Sequence, residues 1–226
     1  MARLARVVGA GLAHHVTQRR NRRQQVFFEP ADYRLYLDLL ATHCTAADVE
    51  VWAYCLMPNH VHLILVPGDA DGLRAALGEA HRRYTRHINF RQKWRGYLWQ
   101  GRFASFVMDE PYLLTCARYV ELNPVRARLV RTARAWKWSS ARAHLTNQDD
   151  RVVRVRPLLD LAPDWKGFLG AGLDAENLAA IRTHTRTGRP LGAEPFLTRL
   201  EKRLGRRLRK AKPGPRGRLA NGPRAN

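Results

Sequence analysis

Apolar positions recur along this chain at two periods, and those periods lay out most of its first half. Leu12 to Thr17 reads as a short strand. From Pro30 to about Ala47, Tyr33, Tyr36, Leu37, Leu40 and Ala41 fall at helical spacing and predict a first helix. Val49 to Met57 is rich in β-formers, and His60 to Val66 follows it across Pro58-Asn59, a turn signal, so the two predict a hairpin. Asp71-Gly72 opens a second helix reaching roughly Phe90, with Leu73, Leu77, Ala80, Tyr84, His87 and Ile88 inward. Gly101 to Val107 is a further strand. Asp109-Glu110-Pro111 then starts a helix that Asn123-Pro124 should end, because proline disfavours αR in the residue before it.

The order strand, helix, strand, strand, helix, strand is the ferredoxin-like βαββαβ pattern, an α+β sandwich with both helices on one sheet face. Side chains alternate along a strand, so His60, His62 and Ile64 share one face while Val61, Leu63 and Leu65 share the other. The wholly apolar set should meet the helices. The histidines then belong to the other face, where the helix after the last strand can cover them. On that helix Leu113, Ala117 and Val120 form an apolar stripe, and Tyr112, Cys116, Tyr119 and Asn123 form its neighbour.

Beyond about Ala143 the pattern loosens. Gln148 to Pro163 reads as a linker with a short apolar insert, and Asp174–Thr183 and Glu194–Leu204 read as helices around Thr187–Gly192, loosely a helix-turn-helix. A basic tail expected to be disordered ends the chain. The expected division is 1–145 for the sandwich, 146–186 for a linker and helical extension, and 187–226 for a basic DNA-binding tail.

Charge sharpens this picture. Forty Lys and Arg against nineteen Asp and Glu give +21, far more than solubility requires, and a polyanion partner is the default inference. From Arg182 onward fourteen Lys and Arg face only Glu194 and Glu201, so +12 of that charge lies at the C-terminal end. No run approaches the roughly 18 apolar residues of a membrane span. The first fifteen residues mimic a signal peptide weakly and read as mature sequence. Cys44, Cys55 and Cys116 form no CxxC and cannot all pair, which favours a reducing compartment.

His60 and His62 would stand about 6 to 7 Å apart along one strand face, close enough to grip one metal ion with a third ligand from elsewhere. The same spacing also suits two polar residues on a solvated sheet. By ligand type an imidazole pair accepts Zn, Mn, Ni or Cu. Trp94, Tyr97, Trp99 and Phe103 interleave with Arg91, Lys93, Arg95 and Arg102, a composition suited to stacking unpaired bases beside phosphates, or else to a core under a loop. The loop Gln18–Gln25 carries Arg19, Arg20, Arg22 and Arg23 out of the strand that would lie beside His60.

Three segments, Met57-Pro58-Asn59-His60-Val61-His62, Leu98-Trp99-Gln100-Gly101-Arg102-Phe103 and Tyr119-Val120-Glu121-Leu122-Asn123-Pro124-Val125-Arg126-Ala127, together resemble the IS200-like single-tyrosine transposases of the HUH nuclease superfamily. More narrowly they resemble the REP-associated tyrosine transposases, and the likeness runs over about residues 10 to 145. The resemblance implies that His60 and His62 are the HUH pair, that Tyr119 is the nucleophile, and that Asn123 completes the metal site. Transposing relatives usually carry Gln at that last position, and Asn agrees with the REP-associated branch. Tyr112 competes for the nucleophile's role on the same stripe.

The implied cofactor is Mg²⁺ or Mn²⁺, and the implied substrate is single-stranded DNA bearing palindromic hairpins. Tyr119 would attack a phosphodiester to give a 5′-phosphotyrosine and a free 3′-OH, a step that conserves bond energy and can reverse. An unperturbed tyrosine is ionised to only about one part in a thousand at pH 7, so local help is required. Arg19, Arg20, Arg22, Arg23, Arg95, Trp99, Arg102, Arg206, Arg207 and Arg209 are the expected nucleic-acid contacts. The resemblance implies a monomer or homodimer in the bacterial cytoplasm, associated with the nucleoid. Two other readings remain at this stage: a DNA-hairpin or RNA binder without chemistry, and a metal-dependent phosphodiesterase that uses water.

Overall fold

The computed structural model describes residues 5–21 and 24–209. Strands β1 (His14–Arg19), β2 (Val49–Met57), β3 (His60–Pro67) and β4 (Ala104–Val107) form one antiparallel sheet in the order β2-β3-β1-β4. Helices α1 (Pro30–Ala46) and α2 (Gly72–Gln92) pack together on one face. This is the expected βαββαβ sandwich. Its core on that side is built from Val16, Val61, Leu63 and Leu65 of the sheet with Tyr36, Leu40, Leu73 and Tyr84 of the helices, all buried.

Local chemistry sets the element ends. Pro30 sits in the first turn of α1, where a missing N–H costs nothing, and the Asp32 carboxylate accepts the backbone N–H of Phe28 and Glu29. Strand β4 begins at Ala104 rather than Gly101, because Gly101 takes a positive φ of 67° and turns the chain before the ladder starts. Helix α3 (Glu110–Glu121) is capped by Asp109, whose side chain accepts from Tyr112 N.

Asn123-Pro124 redirects the chain instead of stopping it. A single further turn, α4 (Asn123–Arg126), follows with proline at its start, the position where proline is tolerated in a helix. Thereafter come three short helices, α5 (Ala141–Thr146), α6 (Arg156–Leu159) and α7 (Trp165–Gly170), and two longer ones, α8 (Ala175–Thr187) and α9 (Glu194–Leu204). Val152, Val153, Leu158, Trp165, Leu169 and Ile181 are buried in the same core as the sandwich, so the segment after Ala143 is packed rather than strung out.

Two of these elements differ from expectation in ways that matter for function. Helix α8 continues to Thr187 and ends only at Gly188, which adopts a positive φ of 70°. The α8–α9 pair does not stand apart as a helix-turn-helix. Its connection runs along β4, with Leu191 N donating to Val107 O and Asp109 N to Leu191 O, while α8 itself lies on the second sheet face with α3. The opposite edge is covered as well: Leu56 N donates to Trp138 O and Ser140 N to Tyr54 O, so the Trp136–Ser140 stretch packs along β2. Both outer strands therefore find backbone partners within the chain. No helix among the described residues is long and apolar enough to cross a membrane.

Candidate active site

The turn at Pro58-Asn59 places His60 at the first position of β3, opposite Met57 on β2 and Arg19 on β1; His62 lies opposite Cys55 and Thr17. All six residues share the sheet face away from α1 and α2. The two imidazoles stand edge to face with ring centroids 4.8 Å apart. His60 Nδ1–H donates to Asn59 Oδ1, which leaves the Nε2 lone pair of His60 uncommitted.

Helix α3 crosses above them. Tyr119 is 8 % exposed, and its ring stands perpendicular to His62 with centroids 5.3 Å apart. One turn later Asn123 Nδ2 donates to Tyr119 O at 3.0 Å, a bond that does not use its Oδ1. The extra turn of α4 carries Arg126 back over the phenol ring, its guanidinium carbon 4.5 Å from the ring centroid. These side chains line a cleft of about 390 Å³, to which Arg19 contributes from β1 and Arg182 and Thr185 from α8.

The cleft is built for an anion. Arg19, Arg126 and Arg182 line it, and among the described residues no carboxylate does. Burial, together with the nearby Arg19 charge, pushes His60 down to about 3, and burial with the neighbouring His60, His15, Arg19 and Arg126 pushes His62 well below the usual imidazole range. Both rings are neutral at pH 7, the state a metal ligand needs. Among the described residues no three His, Cys, Asp or Glu side chains converge to hold an ion. Asn123 in the same cleft wall could add an amide oxygen, and a set of two nitrogens and one oxygen is of a type that can hold a divalent ion while keeping open positions for phosphate oxygens.

Tyr119, His60, His62, Asn123 and Arg19 thus come together from three separate segments of the sequence. Tyr112 does not join them; it is half-buried against the core and absent from the cleft wall. Arg20 stacks over Trp94 at 4.5 Å, and Tyr97, three positions further along the chain, is 95 % exposed. Arg95 and Arg102 are exposed.

Trp99, expected to stack on bases, is 7 % exposed and lies among Tyr36, His81 and Tyr84. A backbone bridge to Arg20 pins it there, so it serves the core. Arg206 donates to the Ala5 and Arg6 carbonyls, and Arg209 pairs with Glu194 and Glu201, which spends both on internal contacts. Arg207 is exposed. Arg22 and Arg23 lie outside the described residues.

Four residues of the site escaped the sequence reading. His15 lies two positions before Thr17 on the same strand face, a period-two signal visible in His15-Val16-Thr17-Gln18-Arg19. Arg126 follows Tyr119 at i+7, a helical repeat hidden by the intervening proline. Arg182 and Thr185 carry no local signal, since only the packing of α8 brings them to the cleft.

Residues 10–123 match the family model described as IS200-like transposase. A curated relative from Haemophilus influenzae, named as a REP-associated tyrosine transposase, is 28 % identical over 108 residues, which is 43 % of this chain and 61 % of that protein. The chain therefore matches less than two thirds of that relative's length. Among solved structures, a REP-associated tyrosine transposase bound to a REP hairpin superposes with a TM-score of 0.56 at 20 % identity, covering 68 % of this chain and 92 % of the other. A Deinococcus radiodurans protein described as a transposase candidate matches at 25 % identity and a TM-score of 0.38, over 53 % of this chain and 96 % of its own.

Proposed function

Because this chain belongs to the family of IS200-like transposases, we propose that it is a REP-associated tyrosine transposase that cuts and rejoins single-stranded DNA beside palindromic hairpins. The observation that carries this reading is the meeting, in one cationic cleft, of a tyrosine, two neutral histidines and an amide drawn from β3 and from α3 with its following turn.

In this reading Tyr119 Oη gives up its proton to solvent and attacks the phosphorus, a tyrosine–phosphate bond forms, and the P–O3′ bond breaks to leave a 3′-oxygen that takes up a proton to become the 3′-OH. A divalent ion, Mg²⁺ or Mn²⁺, held by His60, His62 and Asn123, supplies Lewis-acid polarisation of the phosphate oxygens when bound. Arg19, Arg126 and Arg182 draw the phosphate in and balance charge that builds on its non-bridging oxygens. The perpendicular contact with His62 and the Arg126 guanidinium on its ring hold the phenol in one orientation, so little has to reorganise at the moment of attack. Arg20, Trp94, Arg95 and Tyr97 offer a basic, aromatic surface where unpaired bases can stack. The covered sheet edges favour a monomer over a dimer made by strand addition.

The test is a denaturing protein gel of the chain incubated with labelled single strands that carry flanking palindromic repeats. Tyr119→Phe should lose both cleavage and the covalent adduct while hairpin affinity stays within a few fold. An adduct that survives in this variant would remove Tyr119 from the mechanism. Uncoupled cleavage, without any adduct in the parent protein, would instead point to water as nucleophile.

A further inference from the structure

His62 does not end at the cleft. Its Nδ1 lies 3.0 Å from Nε2 of His15, a fully buried residue of β1, with the two rings nearly parallel at 7°. On the far side His15 Nδ1 lies 3.5 Å from Oγ1 of Thr185 on α8, and that hydroxyl donates to Ile181 O at 2.8 Å. We propose that His15 is a positioning residue that holds His62 as its Nδ1–H tautomer, and that Thr185 anchors this support, so that the C-terminal extension takes part in shaping the site.

The direction of the chain follows from counting protons. Thr185 spends its only O–H on Ile181, so its oxygen can only accept from His15. His15 therefore carries its proton on Nδ1 and presents a lone pair at Nε2. His62 must then donate from Nδ1, which leaves its own Nε2 bare and turned to the cleft. Reversing the chain would put a proton on His62 Nε2, where it would block any ligand, and would turn the Thr185 hydroxyl away from the Ile181 carbonyl. An imidazole that donates its second nitrogen to a fixed partner is the arrangement that orients metal-binding histidines, and loss of such a partner typically costs about 10- to 100-fold in metal affinity.

The inference rests on the proposed metal-binding role of His62 but can be read without any cleavage. In metal-free protein labelled with ¹⁵N-histidine, long-range ¹H–¹⁵N correlation should report His62 as the Nδ1–H tautomer. The Nε2–H tautomer would overturn the proposal whatever the enzyme does. Mn²⁺ titration followed by electron paramagnetic resonance supplies the second readout. His15→Phe keeps ring shape and removes the acceptor, and should weaken Mn²⁺ binding about tenfold and mix the His62 tautomers. His15→Gln restores an acceptor and should recover most of the loss, which a purely structural role would not predict. Thr185→Val should give a smaller loss in the same direction. Unchanged Mn²⁺ affinity and an unchanged His62 tautomer in His15→Phe would refute the support role, whereas correct tautomers in a protein that never cleaves DNA would refute the transposase reading and leave this one standing.

Discussion

Glu121, two residues after Tyr119, is fully buried and holds three donors at once. Its Oε1 accepts from Ser140 Oγ at 2.6 Å and His144 Nδ1 at 2.7 Å, and its Oε2 from Trp165 Nε1 at 2.8 Å. The side chain therefore ties the end of α3 to α5 and α7. Glu121→Ala would leave the buried Trp165 indole N–H without an acceptor and Ser140 and His144 with only their longer contacts to Tyr54 O at 3.3 Å and Ser140 O at 3.2 Å, at roughly 2 to 5 kcal/mol in all. That is a large share of the ~5 to 15 kcal/mol that stabilises a typical domain.

Glu121→Gln is the finer probe. The amide keeps one oxygen for Ser140 and His144 but sets an N–H against the Trp165 N–H, and the loss should be about 1.5 to 3 kcal/mol. With a urea slope of about 2 to 3 kcal/mol per molar, the midpoint should fall by roughly 0.5 to 1.5 M. Circular dichroism during urea unfolding measures this directly. Cleavage assayed well below the midpoint should fall more than hairpin affinity, because the clamp orients the segment that carries Tyr119 and Asn123. A midpoint within ~0.2 M of the parent would refute the reasoning, since the buried Trp165 N–H cannot lose its acceptor without cost.

Three further outcomes are expected. EDTA, His60→Ala and His62→Ala should each stop cleavage with the fold and hairpin binding retained, as read by circular dichroism and a mobility shift; full activity in EDTA would contradict the metal site. Asp32 is buried, which alone would raise its pKa, but Arg91 and the N–H groups of Phe28 and Glu29 outweigh this and hold it below the usual carboxylate range. A folded pKa below the unfolded one stabilises above the unfolded value of about 3.9 and ceases to do so as pH falls through the folded value. Asp32→Asn should therefore destabilise at pH 7, with the gap to the parent closing as pH drops below about 4; a gap independent of pH would reject this. Removing residues 210–226 takes away Lys210, Lys212, Arg216, Arg218 and Arg224, and should weaken binding to all single strands alike. It should flatten the slope of log K against log salt by no more than about 3.5, five contacts at ~0.7 each. Loss of discrimination between a hairpin and its scrambled version at fixed salt would make that tail a sequence reader instead.

Much of this molecule is legible in one dimension. The helical spacing of Tyr33 to Ala41, the Pro58-Asn59 turn and the alternation along His60 to Val66 fix the order of elements and the face on which both histidines stand, because each signal is carried by neighbours in sequence. Tyr119 and Asn123 share a helical stripe for the same reason. What the spacing left open was which tyrosine meets the histidines, and only the way α3 lies across the sheet separates Tyr119 from Tyr112. Composition misled at Trp99, since an aromatic between arginines looks the same whether it faces DNA or the core. The contributions of His15, Arg126, Arg182 and Thr185 depend on contacts between segments up to 170 positions apart. Periodicity records which side of its own strand or helix a residue occupies, and tertiary packing alone decides what lies across from it.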